Sequence, residues 1–345
     1  MDNNLKTFPE IKEYLLSKKR AVHLLLGNGF SMAYNHEIFS YNALQKFIDE
    51  QRNPLISSLF RIVKTKNFEL VMQQLDNFCE LIETFGTYNE LLDKVKKSSD
   101  SLKESLIDAV ESLHPEHVFK LEDGQVEKCS NFLSFFTNNH GSIFSTNYDL
   151  LLYWVLMRKG IKNAIDGFGR DRTDDGDSSN EPEYSELRWG NNKNSQNIFY
   201  VHGALPIFDE GVHIIKEEYT GENYLLNNIK NRIDNGHYPI FVASGNGEEK
   251  LNHILHNRYL TYCYESLCEI KGSLVTFGFN FGSYDYHIVD AINIAANQGR
   301  ASGNKLFSIY IGVYSDEDRK HIERIQGEFK CKVILFDAKT ANVWS

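Results

Sequence analysis

The residues best suited to chemistry lie in three short loops, each of which follows an apolar run. The first loop, Gly27-Asn28-Gly29-Phe30-Ser31, follows the run 21–26. Glycines let a backbone approach a phosphate closely, and the amides at the start of a following helix point at a bound anion. The loop predicts a nucleotide-binding turn, although one G-x-G pattern also occurs in ordinary strand-to-loop turns.

Polar side chains follow two further apolar runs. In Thr146-Asn147-Tyr148-Asp149, the amide of Asn147 can both donate to and accept from a ribose hydroxyl or a water. Asp149 either joins the same site or caps the helix that follows. In Val201-His202-Gly203, the imidazole of His202 lies at a strand end, where it can titrate near neutral pH and act as a base.

A parallel sheet is the element that would bring these loops together. Short apolar runs without alternation indicate strands buried on both faces. They recur at 21–26, 141–147, 198–201, 212–215, 240–242, 274–277, 307–311 and 333–336. Helical patterns separate several of them, at 150–156, 248–256, 259–269, 285–297 and 316–329. Strands that alternate with helices predict an α/β fold, a Rossmann-like doubly wound parallel sheet, and such sheets bind ligands at the carboxyl ends of their strands.

Two segments interrupt this alternation. Residues 40–140 have a helical pattern throughout, which predicts a large helical insert. We expect one apolar stripe of this insert to lie in the core, formed by Phe68, Val71, Met72, Leu75, Phe78 and Leu81. Residues 170–197 are rich in Asp, Ser, Asn and Gly and predict an exposed polar loop. We interpret the whole chain, 1–345, as a single domain that contains both segments.

Composition excludes several classes of protein. Of 345 residues, 41% are hydrophobic and 24% are charged, which is ordinary for a globular chain, and the net charge of -10 opposes non-specific binding to nucleic acid or anionic membranes. The start of the chain lacks a signal-peptide pattern and no apolar run approaches membrane-spanning length, so we expect a cytoplasmic protein. The five cysteines have no C-x-x-C spacing, so we predict neither a disulfide framework nor a bound metal.

Taken together, the motifs resemble those of the sirtuin superfamily. Gly27-Asn28-Gly29-Phe30-Ser31 resembles its phosphate loop, Ser145-Thr146-Asn147-Tyr148-Asp149 resembles its threonine-glutamine-asparagine-isoleucine-aspartate motif, and His202-Gly203 resembles its catalytic histidine-glycine pair. Gly278-Phe279-Asn280-Phe281-Gly282, with Ser283 and His287, resembles the late glycine loop that holds the cofactor in bacterial sirtuin-like NAD hydrolases. The order of the motifs and their separation by an insert also agree.

The sequence departs from the deacetylase sirtuins in two places. Their four zinc cysteines are absent, and residues 34–39 replace their glycine-isoleucine-proline-aspartate-phenylalanine-arginine stretch. The resemblance therefore implies cleavage of NAD rather than protein deacylation, as in sirtuin-like effectors of bacterial anti-phage defence. It also implies a homo-oligomer and, as for some of those effectors, a HerA-type ATPase partner.

The implied reaction breaks the bond between nicotinamide and ribose and gives nicotinamide and ADP-ribose. The leaving group is already cationic, so no general acid is required, and the transition state resembles an oxocarbenium ion. Asn147 would orient a water or the ribose hydroxyls, His202 would act as the base, and Asp149 would help to position the ribose.

The remaining motif residues would bind the cofactor. Gly27, Gly29 and Ser31 would hold the diphosphate, with Asn28 and Phe30 completing the loop, while Gly278, Asn280 and Gly282 would lie near the phosphates or the adenosine ribose. Two alternatives stay open. One is a module that senses NAD or ADP-ribose without turning it over, and the other, less favoured, is an NAD-dependent deacylase.

Overall fold

The structure, a computed structural model, describes residues 5–36, 68–86, 88–112, 114–115, 117–170, 186–219, 223–242, 246–297 and 305–345, and the single positions 58, 61 and 62. The strands are β1 Lys6–Thr7, β2 Val22–Leu26, β3 Ile143–Ser145, β4 Phe168–Gly169, β5 Leu187–Trp189, β6 Ile198–Tyr200, β7 Gly203–Asp209, β8 Ile214–Lys216, β9 Pro239–Phe241, β10 Gly272–Phe277, β11 Leu306–Val313 and β12 Lys332–Asp337.

The α-helices are α1 Phe8–Ser17, α2 Gly29–Tyr34, α3 Phe68–Phe85, α4 Asn89–Ser112, α5 Asp123–Asn138, α6 Leu151–Lys159, α7 Leu225–Asp234, α8 Gly247–His256, α9 Arg258–Cys268, α10 Tyr286–Asn297 and α11 Asp316–Ile325. Short 3₁₀ turns lie at Val118–Lys120, Lys193–Ser195, Ser283–Asp285, Gln326–Glu328 and Ala338–Ala341. Within these described ranges, no helix combines the length and the apolar content needed to cross a membrane.

Seven parallel strands form the main sheet, in the order β1-β12-β11-β10-β2-β3-β6. Helices flank the sheet; for example, α5 packs on β2 and β3, and α9 packs on β6. All five residues of β2 and all six of β10 are buried, which explains their continuous apolar runs. The predicted Rossmann-like α/β fold is confirmed.

The order of these strands creates a switch point in the sheet. The chain runs from β2 outwards to β3 and β6, then returns to β10 on the other side of β2 and continues to β11 and β12. This is the 3-2-1-4-5-6 order of Rossmann folds, in which ligands bind outside the carboxyl ends of the strands where the order reverses. In this protein the reversal falls between β2 and β10.

A second, antiparallel sheet was not predicted from the sequence. It has the order β4-β5-β8-β7-β9, so the strands expected near 212–215 and 240–242 belong to it rather than to the parallel sheet. The expectation of an exposed loop over 170–197 is wrong at Leu187–Trp189, which forms β5 because it pairs with β4 and β8. Residues 171–185 of that segment lie outside the described residues.

The predicted helical insert contains α3, α4 and α5, while residues 40–57 lie outside the part of the chain that the structure describes. The predicted core stripe on α3 is only partly correct. Val71 and Leu75 are buried, whereas Phe78 is 45% and Leu81 is 52% exposed. Helix α3 packs against α4, yet these two side chains stay largely exposed. The side chains of Phe68 and Met72 are outside the described residues.

Candidate active site

Four neighbouring strands place the predicted site residues at one edge of the main sheet. Phe277 of β10, Leu26 of β2, Ser145 of β3 and Tyr200 of β6 form one row in the sheet register. One or two residues beyond this row the strands give way to Gly278, Gly27, Asn147 and His202. The three loops identified in the sequence therefore meet beside the switch point.

A buried network joins the first two loops. The side-chain amide of Asn147 donates to the backbone carbonyl of Gly27 at 3.1 Å and to the hydroxyl of Ser31 at 2.9 Å. The Ser31 hydroxyl in turn donates to Oδ2 of Asp149 at 2.5 Å. All three side chains are buried. The amide hydrogens of Asn147 are therefore committed to the network, and Oδ1 is the atom of this side chain that remains to contact a ligand.

Asp149 is not the N-cap that the sequence left open, because Leu150 holds that position in α6, but its side chain bonds to the start of the same helix. Its Oδ1 accepts from the backbone N–H of Leu151, the first residue of α6, while Oδ2 is bound to Ser31. Burial raises the pKa of Asp149 to about 6, against the opposing effect of these two hydrogen bonds. Both oxygens are occupied within the protein, so direct positioning of a ribose by this carboxylate is not what the geometry favours.

The two glycine loops pack directly on each other. A Cβ at Gly29 would lie 2.6 Å from the Cα of Gly278, and Gly278 has φ +69° with a Cβ position 2.4 Å from the Phe30 nitrogen. Only glycine fits at either place. From the sequence, these glycines were expected to allow close approach of a phosphate, whereas in the structure they allow close approach of β2 to β10.

The backbone amides of the first loop are also engaged within the protein. The N–H groups of Gly27, Gly29, Phe30 and Ser31 donate to the carbonyls of Phe277, Gly278, Gly27 and Asn28, respectively. The expectation that these amides point at a diphosphate is therefore wrong for this structure. Their hydrogen bonds instead fix the turn from β2 into α2.

Three other predicted cofactor residues have different surroundings. The Phe30 side chain is buried against Trp344, whose indole N–H donates to the Phe30 carbonyl at 2.8 Å, so this side chain is part of the core. Asn280 is exposed and its Oδ1 accepts from the backbone N–H of Gly282 at 3.0 Å. Of these residues, Asn280 alone presents its side chain to solvent beside the switch point.

His202 meets a residue that was not assigned to catalysis. Its Nε2 lies 2.8 Å from Nε2 of His287 at the start of α10, and the two rings meet edge to edge with centroids 5.0 Å apart and planes inclined by 28°. Burial lowers the pKa of His202 well below its usual value, and the charge of Lys250 lowers it further. The expectation that this ring titrates near neutral pH is therefore wrong, because the ring is neutral there.

The glycine after His202 has a purely structural reason. Gly203 has φ +75°, and a Cβ there would lie 2.0 Å from the carbonyl oxygen of Ile240 in β9. It marks the point where the chain leaves the parallel sheet and starts β7 of the antiparallel sheet. The histidine-glycine pair therefore also marks a junction between the two sheets.

An ion pair lies next to the histidines. The ammonium of Lys250 donates to Oδ1 of Asp285 at 2.7 Å, and both side chains are buried. His202, Asp285 and His287 each offer a ligand atom, and these atoms lie within 4.8 Å of one another, so this group has the residue types that hold a metal. Lys250 occupies one carboxylate oxygen and adds a positive charge, so the arrangement favours proton chemistry over metal binding.

A separate cleft of about 230 Å³ opens beside α6. Its walls include Tyr153, Trp154, Met157, His117 and Tyr224 and none of the predicted site residues. Pockets that enclose a drug-sized ligand measure about 300–1,000 Å³. The cleft is too small for a whole dinucleotide, so we do not assign NAD to it.

A parallel sheet in Rossmann order, with buried polar side chains beside its switch point, defines a Rossmann-like α/β protein. The chain belongs to the family described as a domain of unknown function, DUF4917, whose model matches residues 24–344. This range includes all of the site residues discussed above. No curated protein matches the chain.

Proposed function

We propose that the protein cleaves the nicotinamide–ribose bond of NAD and gives nicotinamide and ADP-ribose. The observation that carries the proposal is the placement of Asn147 and His202. Both are buried polar residues on neighbouring loops at the carboxyl edge of the sheet, next to the switch point where Rossmann folds bind nucleotides. Their resemblance to the sirtuin asparagine and histidine supplies the reaction.

Cleavage of the nicotinamide–ribose bond requires the protein mainly to position the reacting groups. Nicotinamide leaves as a neutral molecule from a cationic ring, so the site needs only to orient a water and to remove its proton. In our proposal Oδ1 of Asn147 orients the water or a ribose hydroxyl, because the amide hydrogens are held by Gly27 and Ser31. His202 takes the proton in its neutral form, which burial favours although it also weakens the ring as a base.

Asp149 has a supporting role in this proposal. Through Ser31 it fixes the orientation of the Asn147 amide, and through Leu151 it fixes the start of α6. The glycine loops bring β2 and β10 together at the switch point. The proposal therefore does not depend on an amide cradle for the diphosphate.

Incubation of the purified protein with NAD, followed by chromatography, tests the proposal. We expect nicotinamide and ADP-ribose in equal amounts from the parent protein. Asn147→Asp keeps the shape of the side chain but replaces the amide donors by a carboxylate, and it should abolish release. If the parent protein releases no nicotinamide under any condition that preserves its fold, the proposal is wrong.

A binding module without turnover is the second candidate. It is favoured by the hydrogen bond between the His202 and His287 rings, which occupies Nε2 of His202. Isothermal titration with ADP-ribose separates the two functions. Tight binding together with a complete absence of nicotinamide release would establish the sensor function instead.

The cellular setting is proposed from the sirtuin resemblance alone. We propose a cytoplasmic effector of anti-phage defence that acts as a homo-oligomer, with a HerA-type ATPase as a candidate partner. Because uncontrolled NAD cleavage would poison its host, low basal turnover is expected. Light scattering combined with a turnover assay tests this point, and a monomer with full activity on its own would contradict it.

A further inference from the structure

The hydrogen bonds of His202 determine which of its nitrogens carries the proton. A neutral imidazole has one N–H and one lone pair, each lying in the ring plane. Nε2 of His202 faces Nε2 of His287 at 2.8 Å, so one of these two atoms is the donor. Nδ1 of His287 is buried without a hydrogen-bond partner among the described residues, and a buried N–H without an acceptor costs more than an unpaired lone pair. The proton of His287 is therefore on Nε2, and the proton of the neutral His202 ring is on Nδ1. The lone pair of His202 therefore lies on Nε2 and points at His287.

His287 must then be the donor of this pair. Its Nε2 carries the proton that lies between the two rings, and its lone pair is on Nδ1. That Nδ1 is buried and has no hydrogen-bond partner within the described residues. The Tyr264 hydroxyl donates to the backbone carbonyl of His287 at 3.1 Å, which holds this end of α10 in place.

The surrounding charges keep the pair in this state. A second proton would place two N–H groups 2.8 Å apart and create a cation close to the Lys250 ammonium. The groups that face the pair are Lys250 and His253 of α8 and Asp285 of the preceding 3₁₀ turn. Burial lowers the pKa of both rings, and the Asp285 carboxylate only partly opposes this effect on His287.

We infer that His287 caps the proton-accepting nitrogen of His202, so that NAD cleavage can begin only after the contact between the two rings opens. This inference rests on the proposed function. A substrate water can transfer its proton to His202 only at Nε2, because Nδ1 is already protonated. While the two rings are in contact, the N–H of His287 donates to that lone pair and blocks it. The cap accounts for low basal turnover without a separate inhibitory domain.

Removal of the cap tests the inference by two independent readouts. His287→Leu fills a similar volume but has no N–H to donate to His202. His287→Gln supplies a side-chain amide N–H that can reach the same nitrogen of His202. His256→Leu, an exposed histidine of α8, is the matched control. The first readout is the rate of nicotinamide release from NAD. The second is the pH titration of the His202 ring, followed by its ¹⁵N shifts in histidine-labelled protein, which does not depend on any activity.

We expect His287→Leu to raise the basal rate about fivefold, the factor that corresponds to one net hydrogen bond of about 1 kcal/mol. The His202 titration should move to higher pH, because the neutral ring loses the donor that stabilised it. His287→Gln should reverse most of both changes, and His256→Leu should keep the parental values. Thermal melting checks that each variant is folded.

The outcomes separate the cap from the proposed function. A folded His287→Leu variant with an unchanged or lower rate than an active parent would overturn the cap. An unchanged His202 titration in that variant would overturn it as well. If the titration moves as expected but neither parent nor variant releases nicotinamide, the cap stands and the proposed function fails.

Discussion

The buried carboxylate of Asp149 makes the stability of the protein depend on pH in a predictable way. Its pKa is raised from 3.8 to about 6, chiefly by burial. The folded protein therefore holds this proton more tightly than the unfolded chain does. Between pH 3.8 and about 6 the folded state binds more protons than the unfolded chain, so the free energy of unfolding falls as pH rises through this window. The stabilisation that this proton provides is fully present only below pH 3.8. A rise in pKa of this size corresponds to about 3 kcal/mol.

Asp149→Asn removes this titration while it keeps an oxygen that can accept from the Leu151 N–H. We predict that the free energy of unfolding of the parent, minus that of the variant, decreases by about 2 kcal/mol between pH 4 and pH 7, since part of the full effect lies below pH 4. Groups elsewhere in the chain titrate in both proteins, so their effects cancel in the difference. The variant itself is expected to lose some stability at pH 4, because its new amide hydrogens face the Ser31 hydroxyl.

Urea unfolding followed by circular dichroism at pH 4, 5, 6 and 7 measures the difference. Asp93→Asn, an exposed carboxylate of α4, controls for the loss of one negative charge and should change the pH dependence far less. Parallel pH profiles for the parent and Asp149→Asn would refute the reasoning, since they would mean that the carboxylate is ionised as easily in the folded protein as in the unfolded chain.

Further predictions concern the glycine loops and metal. Gly29→Val should lower the melting temperature strongly, because its Cβ would lie 2.6 Å from the Cα of Gly278. Gly124→Ala is the control, since a Cβ there meets nothing within 4 Å and should leave the melting temperature unchanged. Equal melting temperatures for the two variants would show that the loops are not packed as described. Elemental analysis should find no stoichiometric zinc, because Lys250 already neutralises Asp285 beside the two histidines, and one zinc per chain would contradict this assignment.

The main sheet was predictable from the sequence, and the second sheet was not. Strands buried on both faces, such as Val22–Leu26, leave a continuous apolar run that marks them clearly. Strands β4 and β5 have only two and three residues, so their pairing depends on contacts that no local pattern reveals. Strand β7 was missed although six of its seven residues are buried, because it contains Pro206, which normally argues against a strand.

The placement of Asn147 and His202 at the sheet edge was predictable, since both directly follow buried strands. Their partners were not. His287 lies 85 residues from His202 along the chain, and Lys250 lies within an ordinary amphipathic helix. The glycine loops show a different limit: a glycine required by contact with another backbone has the same sequence signature as one required by a phosphate. All five cysteines lie within the described part of the chain, where each is a free thiol.

Nicotinamide release by His202→Ala, measured beside the parent protein, tests the central claim most directly. Loss of a positioned base costs about a hundredfold to ten-thousandfold in rate. We predict a loss of this size in a variant that still folds but melts at a lower temperature than the parent, because His202 is buried and its removal leaves the Nε2 hydrogen of His287 without an acceptor. A folded His202→Ala variant that cleaves NAD at the parental rate would contradict the catalytic assignment.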